Sequence, residues 1–158
     1  MKVCYPGTFD PITKGHLDII ERASKQFNEV VVLIMANPKK VALFTAEERK
    51  DMIEKSIKGL NNVKVEIGSG LTVEYAKKCG ASALLRGIRA VSDYENELSQ
   101  ATANMELDDS IETIFLIARP EYSFVSSSIV KEIALFDGDI EKFVPKEIVD
   151  DILAKVKA

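Results

Sequence analysis

Thiols are nearly missing from this chain of 158 residues, which has two cysteines, Cys4 and Cys79. Two cysteines this far apart in sequence make neither a metal site nor a disulfide framework. Cys4 falls in an apolar, strand-like stretch and reads as a buried thiol. Positive charge is not in excess: 21 Lys and Arg stand against 25 Asp and Glu, a formal net charge of -4. That excludes a broad basic footprint for nucleic acid and leaves a local basic cluster for a small anion open. Long hydrophobic runs are missing too. The longest, Val30 to Ala36, has the length of a strand and not of a membrane span. No secretory leader is expected, because Met1-Lys2 is followed almost at once by a turn. Neither Gly-x-x-x-x-Gly-Lys-[Ser/Thr] nor Gly-x-Gly-x-x-Gly occurs, which disfavours P-loop hydrolysis and dinucleotide redox chemistry. The expectation is a soluble, reduced, cytoplasmic domain with no nucleic-acid or membrane partner.

What the chain does have is an alternating pattern. Hydrophobic residues make up 46% and charged residues 29%, the balance of a globular chain with one domain over residues 1–158. There are no repeats, low-complexity tracts or interdomain linkers. Short apolar runs at Lys2–Tyr5, Val30–Ala36, Val63–Ile67, Ala81–Leu85 and Ile111–Ala118 predict five strands. Val30–Ala36 is apolar throughout, as a central parallel strand should be; Val63–Ile67 alternates and is expected nearer an edge. Helices are predicted over Gly15–Phe27, from Thr45 to about Lys58, Thr72–Cys79, Ser92 to about Leu107, Ser126–Phe136 and Pro145–Val156. Thr45-Ala-Glu-Glu48 is a capping box. Ser92 or Asp93, and Ser126 or Ser127, can cap the helices they begin, and Pro145 suits a first turn. Strands alternating with helices imply an α/β fold: a single Rossmann-like domain with a five-stranded, parallel, doubly wound sheet.

Ligands of open α/β sheets bind beyond the carboxyl ends of the strands. There the chain carries Gly7-Thr8-Phe9-Asp10-Pro11, Asn37-Pro38-Lys39-Lys40, Arg86-Gly87-Ile88-Arg89, and Arg119-Pro120 followed by Ser126-Ser127-Ser128. Each has an ordinary reading. Lys39-Lys40 could be a solvated loop, Arg86 and Arg89 could pair with Asp93 or Glu97, and the serines could be a cap with its loop. Gathered at one edge of one sheet, they predict a polyanion pocket to which helix N-termini add positive potential. The only histidine, His16, closes the longer run Gly7 to His16, where strand turns into helix. Alone it could be a base, a ligand or a helix-cap residue.

The run Gly7 to His16 resembles the signature of the nucleotidyltransferase superfamily, His-x-Gly-His near the end of the first strand. Here it reads Thr13-Lys14-Gly15-His16. The Thr-x-Gly-His form within Tyr-Pro-Gly-Thr-Phe-Asp-Pro is similar to the bacterial branch that adenylylates 4′-phosphopantetheine. Further matches cover nearly the whole chain: Phe44-Thr45-x-x-Glu48-Arg49, the segment from Arg86 to Glu95, and that from Tyr122 to Glu132. The last resembles the second signature, Ser-Ser-Ser/Thr-x-x-Arg/Lys. The resemblance implies transfer of the adenylyl group of ATP to 4′-phosphopantetheine, giving dephospho-coenzyme A and pyrophosphate. It also implies Mg²⁺ and a homohexamer. Coenzyme A, which contains parts of both substrates, is expected to bind as a feedback ligand.

The attacking phosphate is already an anion, so no general base is needed; the strand ends offer no obvious paired acid and base. Such chemistry leaves the protein positioning and charge stabilisation. Carried over by position, His16 donates to the α-phosphate, and Gly15 leaves the backbone open to close approach. Thr8 serves the attacking phosphate or the α-phosphate. Lys40 neutralises the incoming phosphate, and Arg86 grips it with a fork that lysine lacks. The resemblance assigns Phe9, Gly87, Ile88, Arg89, Glu97, Tyr122, Ser123, Phe124 and Val125 to the nucleotide. It gives Ser126, Ser127 and Ser128 to its β- and γ-phosphates and Thr72 to the pantetheine arm. Asp10 could ligate metal or form the turn before Pro11; Mg²⁺ is expected on ATP phosphates and water, with no ligand from the chain. Two rivals share the fold: transfer to nicotinate mononucleotide or glycerol phosphate, and a non-catalytic ATP sensor.

Overall fold

The computed structural model describes residues 1–158. Five strands, β1 (Lys2–Gly7), β2 (Glu29–Met35), β3 (Val63–Gly68), β4 (Ala83–Ile88) and β5 (Glu112–Ile117), form one sheet in the order β3-β2-β1-β4-β5. Every neighbouring pair is parallel. Six helices lie between and after them: α1 (Lys14–Gln26), α2 (Ala46–Ser56), α3 (Thr72–Lys78), α4 (Val91–Leu107), α5 (Ser127–Leu135) and α6 (Val149–Val156).

The sheet is covered on both sides, and the period-two alternation of its strands assigns the faces. Val3, Tyr5, Val30, Val32 and Ile34 join the larger core of 25 buried residues, with side chains from α1, α2, α5 and α6. Cys4, Val31 and Leu33 point the other way, into a smaller core of 8 buried residues that includes Val73 and Ala76 of α3. Cys79 packs against that smaller core. The two cysteines, distant in sequence, are thus neighbours in space, and both are free thiols.

The predicted elements are present, with several boundaries moved. The capping box at Thr45 forms: the Glu48 N–H donates to Thr45 Oγ1 at 3.1 Å and the Thr45 N–H to Glu48 Oε2 at 2.8 Å. Ser126, not Ser127, caps α5, accepting from the Ile129 N–H. The fourth strand begins later than expected because Gly80 and Ala81 still donate to α3, to the carbonyls of Lys77 and Ala76. It also runs further, since Arg86, Gly87 and Ile88 stay in register with Phe115, Leu116 and Ile117. Arg86 is therefore a strand residue and not part of a turn. Neither Ser92 nor Asp93 caps α4, which starts from Ala90 without a side-chain cap. The last helix is split: Pro145 precedes a 3₁₀ turn, Lys146–Ile148, and α6 proper starts at Val149.

Candidate active site

The pocket opens where the sheet comes apart. Strands β1–β2, β2–β3 and β4–β5 each share six registered pairs, but β1 and β4 share two, Val3–Ala83 and Cys4–Leu84. Beyond them lies Pro6, which has no N–H to give a ladder. Its carbonyl accepts from Arg86 Nη1 at 2.6 Å. A strand residue's N–H and C=O share a side, so the missing donor faces β4. The guanidinium spans a gap that ladder bonds would otherwise close. This is the switch point of the strand order, where open α/β sheets bind ligands. A cavity of about 700 Å³ occupies it.

At its floor the chain turns from β1 into α1. Phe9 sits in the left-handed region at φ 49°, unusual for a bulky side chain. Its ring meets Tyr5 edge-on at 5.4 Å and His16 at 5.0 Å. A Cβ on Gly7 would come within 2.9 Å of that ring. A Cβ on Gly15 would meet protein atoms no closer than 3.5 Å, so protein packing does not demand the glycine there. The Lys14 N–H donates to the Phe143 carbonyl and those of His16 and Leu17 to Thr13, leaving the Gly15 N–H free of a backbone acceptor.

His16 is the third residue of α1 and completes a capping box with Thr13, whose Oγ1 accepts from the His16 N–H at 3.3 Å. In return the Thr13 N–H donates to His16 Nδ1 at 3.1 Å. A backbone N–H can only donate, so Nδ1 is the unprotonated nitrogen and Nε2 carries the ring proton. Burial, reinforced by the Arg89 and Arg86 guanidinium groups, pushes the imidazole pKa down to about 4. At neutral pH, His16 is an uncharged Nε2–H donor.

Four cations line the cavity: Lys40, Arg86, Arg89 and Lys131. Its three acids are each bound to one of them. Glu97 takes Arg86 through two contacts, Nε at 2.6 Å and Nη2 at 2.7 Å. Asp93 accepts from Arg89 Nε at 3.2 Å, and Asp10 from Lys131 at 2.8 Å. Lys40 alone makes no ion pair. Arginine has five N–H donors; with Glu97 and Pro6 holding three, Arg86 keeps two for a ligand. Asp10 also accepts from the Leu43 and Phe44 N–H groups, each at 2.9 Å. Those backbone bonds and Lys131 hold its carboxyl below the usual carboxylate range against the opposing effect of burial.

Of the residues singled out from sequence, Thr8, Phe9, His16, Lys40, Arg86, Gly87, Arg89, Glu97, Tyr122, Val125, Ser126, Ser127 and Ser128 line this one cavity. Thr72, Ile88, Ser123 and Phe124 do not. Thr72 opens α3 beyond the carboxyl end of the edge strand β3, and Ile88 is buried at the end of β4. Ser123 donates to the Pro120 carbonyl, and Phe124 packs edge-on against Phe143. Arg119, expected at the pocket from its place after β5, turns instead to Asp18 on α1 at 2.8 Å. The serines divide: Ser126 caps α5, and Ser127 gives its proton to the Pro11 carbonyl at 2.7 Å. Ser128 keeps its hydroxyl free of either duty. Lys131, the basic residue of the Ser-Ser-Ser-x-x-Lys run, was not singled out, although the quoted motif contained it. Asp93 belongs to the wall too, and the pairing of Arg86 and Arg89 with Glu97 and Asp93 that the sequence allowed is present.

Comparison with known proteins gives a consistent picture. Residues 4–133 match the cytidylyltransferase-like family. A protein of Finegoldia magna named phosphopantetheine adenylyltransferase is 54% identical over 151 residues, covering 96% of this chain and 93% of that one. One of the same name from Lachnoclostridium phytofermentans is 52% identical, with the same coverage. A third, from Thermotoga neapolitana, is 48% identical over 157 residues, 99% of this chain and 98% of that one.

Proposed function

The chain belongs to the cytidylyltransferase-like family, and from that premise we propose that it is the adenylyltransferase of 4′-phosphopantetheine, working without a general base. A phosphate oxygen of 4′-phosphopantetheine attacks the α-phosphorus of ATP. The new P–O bond forms as the bond to the β-phosphate bridge breaks, leaving dephospho-coenzyme A and pyrophosphate. The relatives' shared name supports the choice of acceptor.

The observation that carries the mechanism is the state of His16. A base must be able to take a proton near neutral pH. The only His in the chain is held neutral with its proton on Nε2, which suits a donor to the charge that builds on the α-phosphate. Lys40 and the two uncommitted Arg86 donors meet the incoming phosphate, and Thr8 serves either phosphate. Gly87, Arg89, Tyr122, Val125 and the serines from Ser126 to Ser128 hold the nucleotide. The start of α5 faces its β- and γ-phosphates with the Ser128 hydroxyl and free helix N–H groups.

The donor set bears on the metal. All three cavity acids are spent on cations, and no group of three or more His, Cys, Asp or Glu comes together elsewhere. That suits Mg²⁺ arriving on the phosphates of ATP with its waters, and does not suit an ion caged by carboxylates. Such an ion would neutralise the leaving pyrophosphate. Coenzyme A is proposed to compete for the same pocket, and failure to displace ATP would remove that part.

The test is pyrophosphate release by the purified chain with Mg-ATP and one acceptor at a time. Release with 4′-phosphopantetheine, and none with nicotinate mononucleotide or glycerol phosphate, is expected. Release with another acceptor alone would reassign the substrate. ATP binding with no release under any condition would favour the sensor.

A further inference from the structure

Arg49 is the cation of the Phe44-Thr45-x-x-Glu48-Arg49 motif, and the site described so far leaves it unused. It lies on α2, is 6% exposed and pairs with no carboxylate. Arginine is almost never buried this far without an acid. Its donors go to main-chain carbonyls instead: Nη1 to Thr8 at 2.8 Å, Nε to Phe44 at 3.1 Å and to Thr45 at 3.3 Å. Asp10, two residues from Thr8, is committed to Lys131 and to the Leu43 and Phe44 N–H groups.

These contacts join two segments that each carry a pocket residue. Thr8 belongs to the turn that ends β1. Phe44 and Thr45 are the root of the loop bearing Lys40, whose residues from Ala36 to Val41 are all exposed, Val41 at 99%. Above its root the loop holds itself by the Lys40 N–H to the Asn37 carbonyl and the Lys39 N–H to the Asn37 side chain. Position relative to the rest of the pocket therefore comes from the root. There Asp10 takes the N–H groups and Arg49 the carbonyls of adjacent residues. A single lysine ammonium cannot span Thr8, Phe44 and Thr45 as the planar guanidinium does.

We propose that Arg49 is a positioning residue that locks the Thr8 turn to the root of the Lys40 loop. It thereby sets the distance between the two groups that meet the attacking phosphate. The inference rests on the adenylyl-transfer reading for what Thr8 and Lys40 do.

The test is a double-mutant cycle on the full-length chain with Arg49→Lys, Lys40→Ala and the double variant, followed by pyrophosphate release and thermal melting. Arg49→Lys is expected to lower kcat by about tenfold to a hundredfold, as ångström-scale misplacement of reacting groups does. Lys40→Ala should then cost at least about tenfold less in the Arg49→Lys background than alone, because residues coupled through a shared backbone segment are not additive. Hydrogen exchange supplies a readout independent of turnover: the Leu43 and Phe44 amides should exchange faster in Arg49→Lys, while those of β2 stay unchanged. Additive effects with unchanged exchange would overturn the assignment even if the wild-type chain adenylylates phosphopantetheine. Faster exchange in a chain with no transferase activity would keep the lock and sink the reaction instead. If neither Arg49→Lys nor Arg49→Gln folded at any temperature, Arg49 would be a core residue and the assignment would fall.

Discussion

His16 does two jobs with two nitrogens. Nδ1 closes the start of α1 by accepting from the Thr13 N–H, and that bond leaves the proton on Nε2. Substitution by alanine removes both. His16→Ala should lower kcat by about a hundredfold or more, roughly 3 kcal/mol for a lost transition-state donor, with a much smaller change in ATP affinity. It should also cost about 1 kcal/mol of stability through the lost cap. Glutamate at the third helical position restores a capping box, so His16→Glu should recover the melting temperature and not the turnover. Recovery of both would assign the histidine to the helix alone. Because the chain has no other histidine, the imidazole Hε1 gives a single NMR signal. That signal should stay unmoved from pH 8 to 5.5 and titrate near pH 4, where burial puts the pKa. The folded pKa lies below the unfolded 6.5, so the contribution to stability is complete above pH 6.5 and lost as pH falls toward 4. A midpoint near 6.5 in the folded chain would remove the neutral donor.

At the scale of elements, β4 and α4 meet through one pair. Arg86 leaves the strand, Glu97 leaves the helix one turn and a half in, and the contact holds the side of the guanidinium while its other donors reach Pro6 and the pocket. The resemblance gave Glu97 to the nucleotide, whereas its observed partner is Arg86. The two roles separate kinetically. If Glu97 acts through Arg86, Glu97→Gln raises KM for phosphopantetheine roughly tenfold, the size of one charge-assisted hydrogen bond, and leaves KM for ATP nearly unchanged; the reverse pattern assigns Glu97 to the nucleotide. Arg86→Lys should resemble Glu97→Gln, because lysine cannot hold Glu97 and Pro6 and still present a fork. What could be read in the sequence here followed the range of the forces. The box at Thr45 and Glu48 and the Ser126 cap are local chemistry and were legible. The Thr13–His16 box was not, since histidine is outside the usual Glu or Gln of that pattern. The extension of β4 through Ile88 depends on β5, and the Lys131–Asp10 pair spans 121 residues. No local pattern encodes either. Arg119 was misplaced for the same reason: Asp18, its partner, lies 101 residues earlier.

Across the whole molecule the covering of the sheet is uneven. The face under α1, α2, α5 and α6 holds 25 buried core residues and the opposite face 8. The helix α4, 17 residues long, buries none. Val91, Tyr94, Leu98, Met105 and Leu107 on it are exposed, as is Ile117 at 66% on the edge strand β5. Parallel sheets normally have both faces covered, and an apolar edge left open invites pairing with another chain. The homohexamer that the resemblance implies would supply this cover with further copies of the same chain. Light scattering on the purified protein should then give about six times the 17.5 kDa of one chain. Leu98→Glu and Ile117→Glu would each place a charge in the contact and should reduce that mass without unfolding the subunit, because neither side chain belongs to the buried core. A wild-type monomer at micromolar concentration would remove the assembly. A hexamer unmoved by both substitutions would move its contacts to another face.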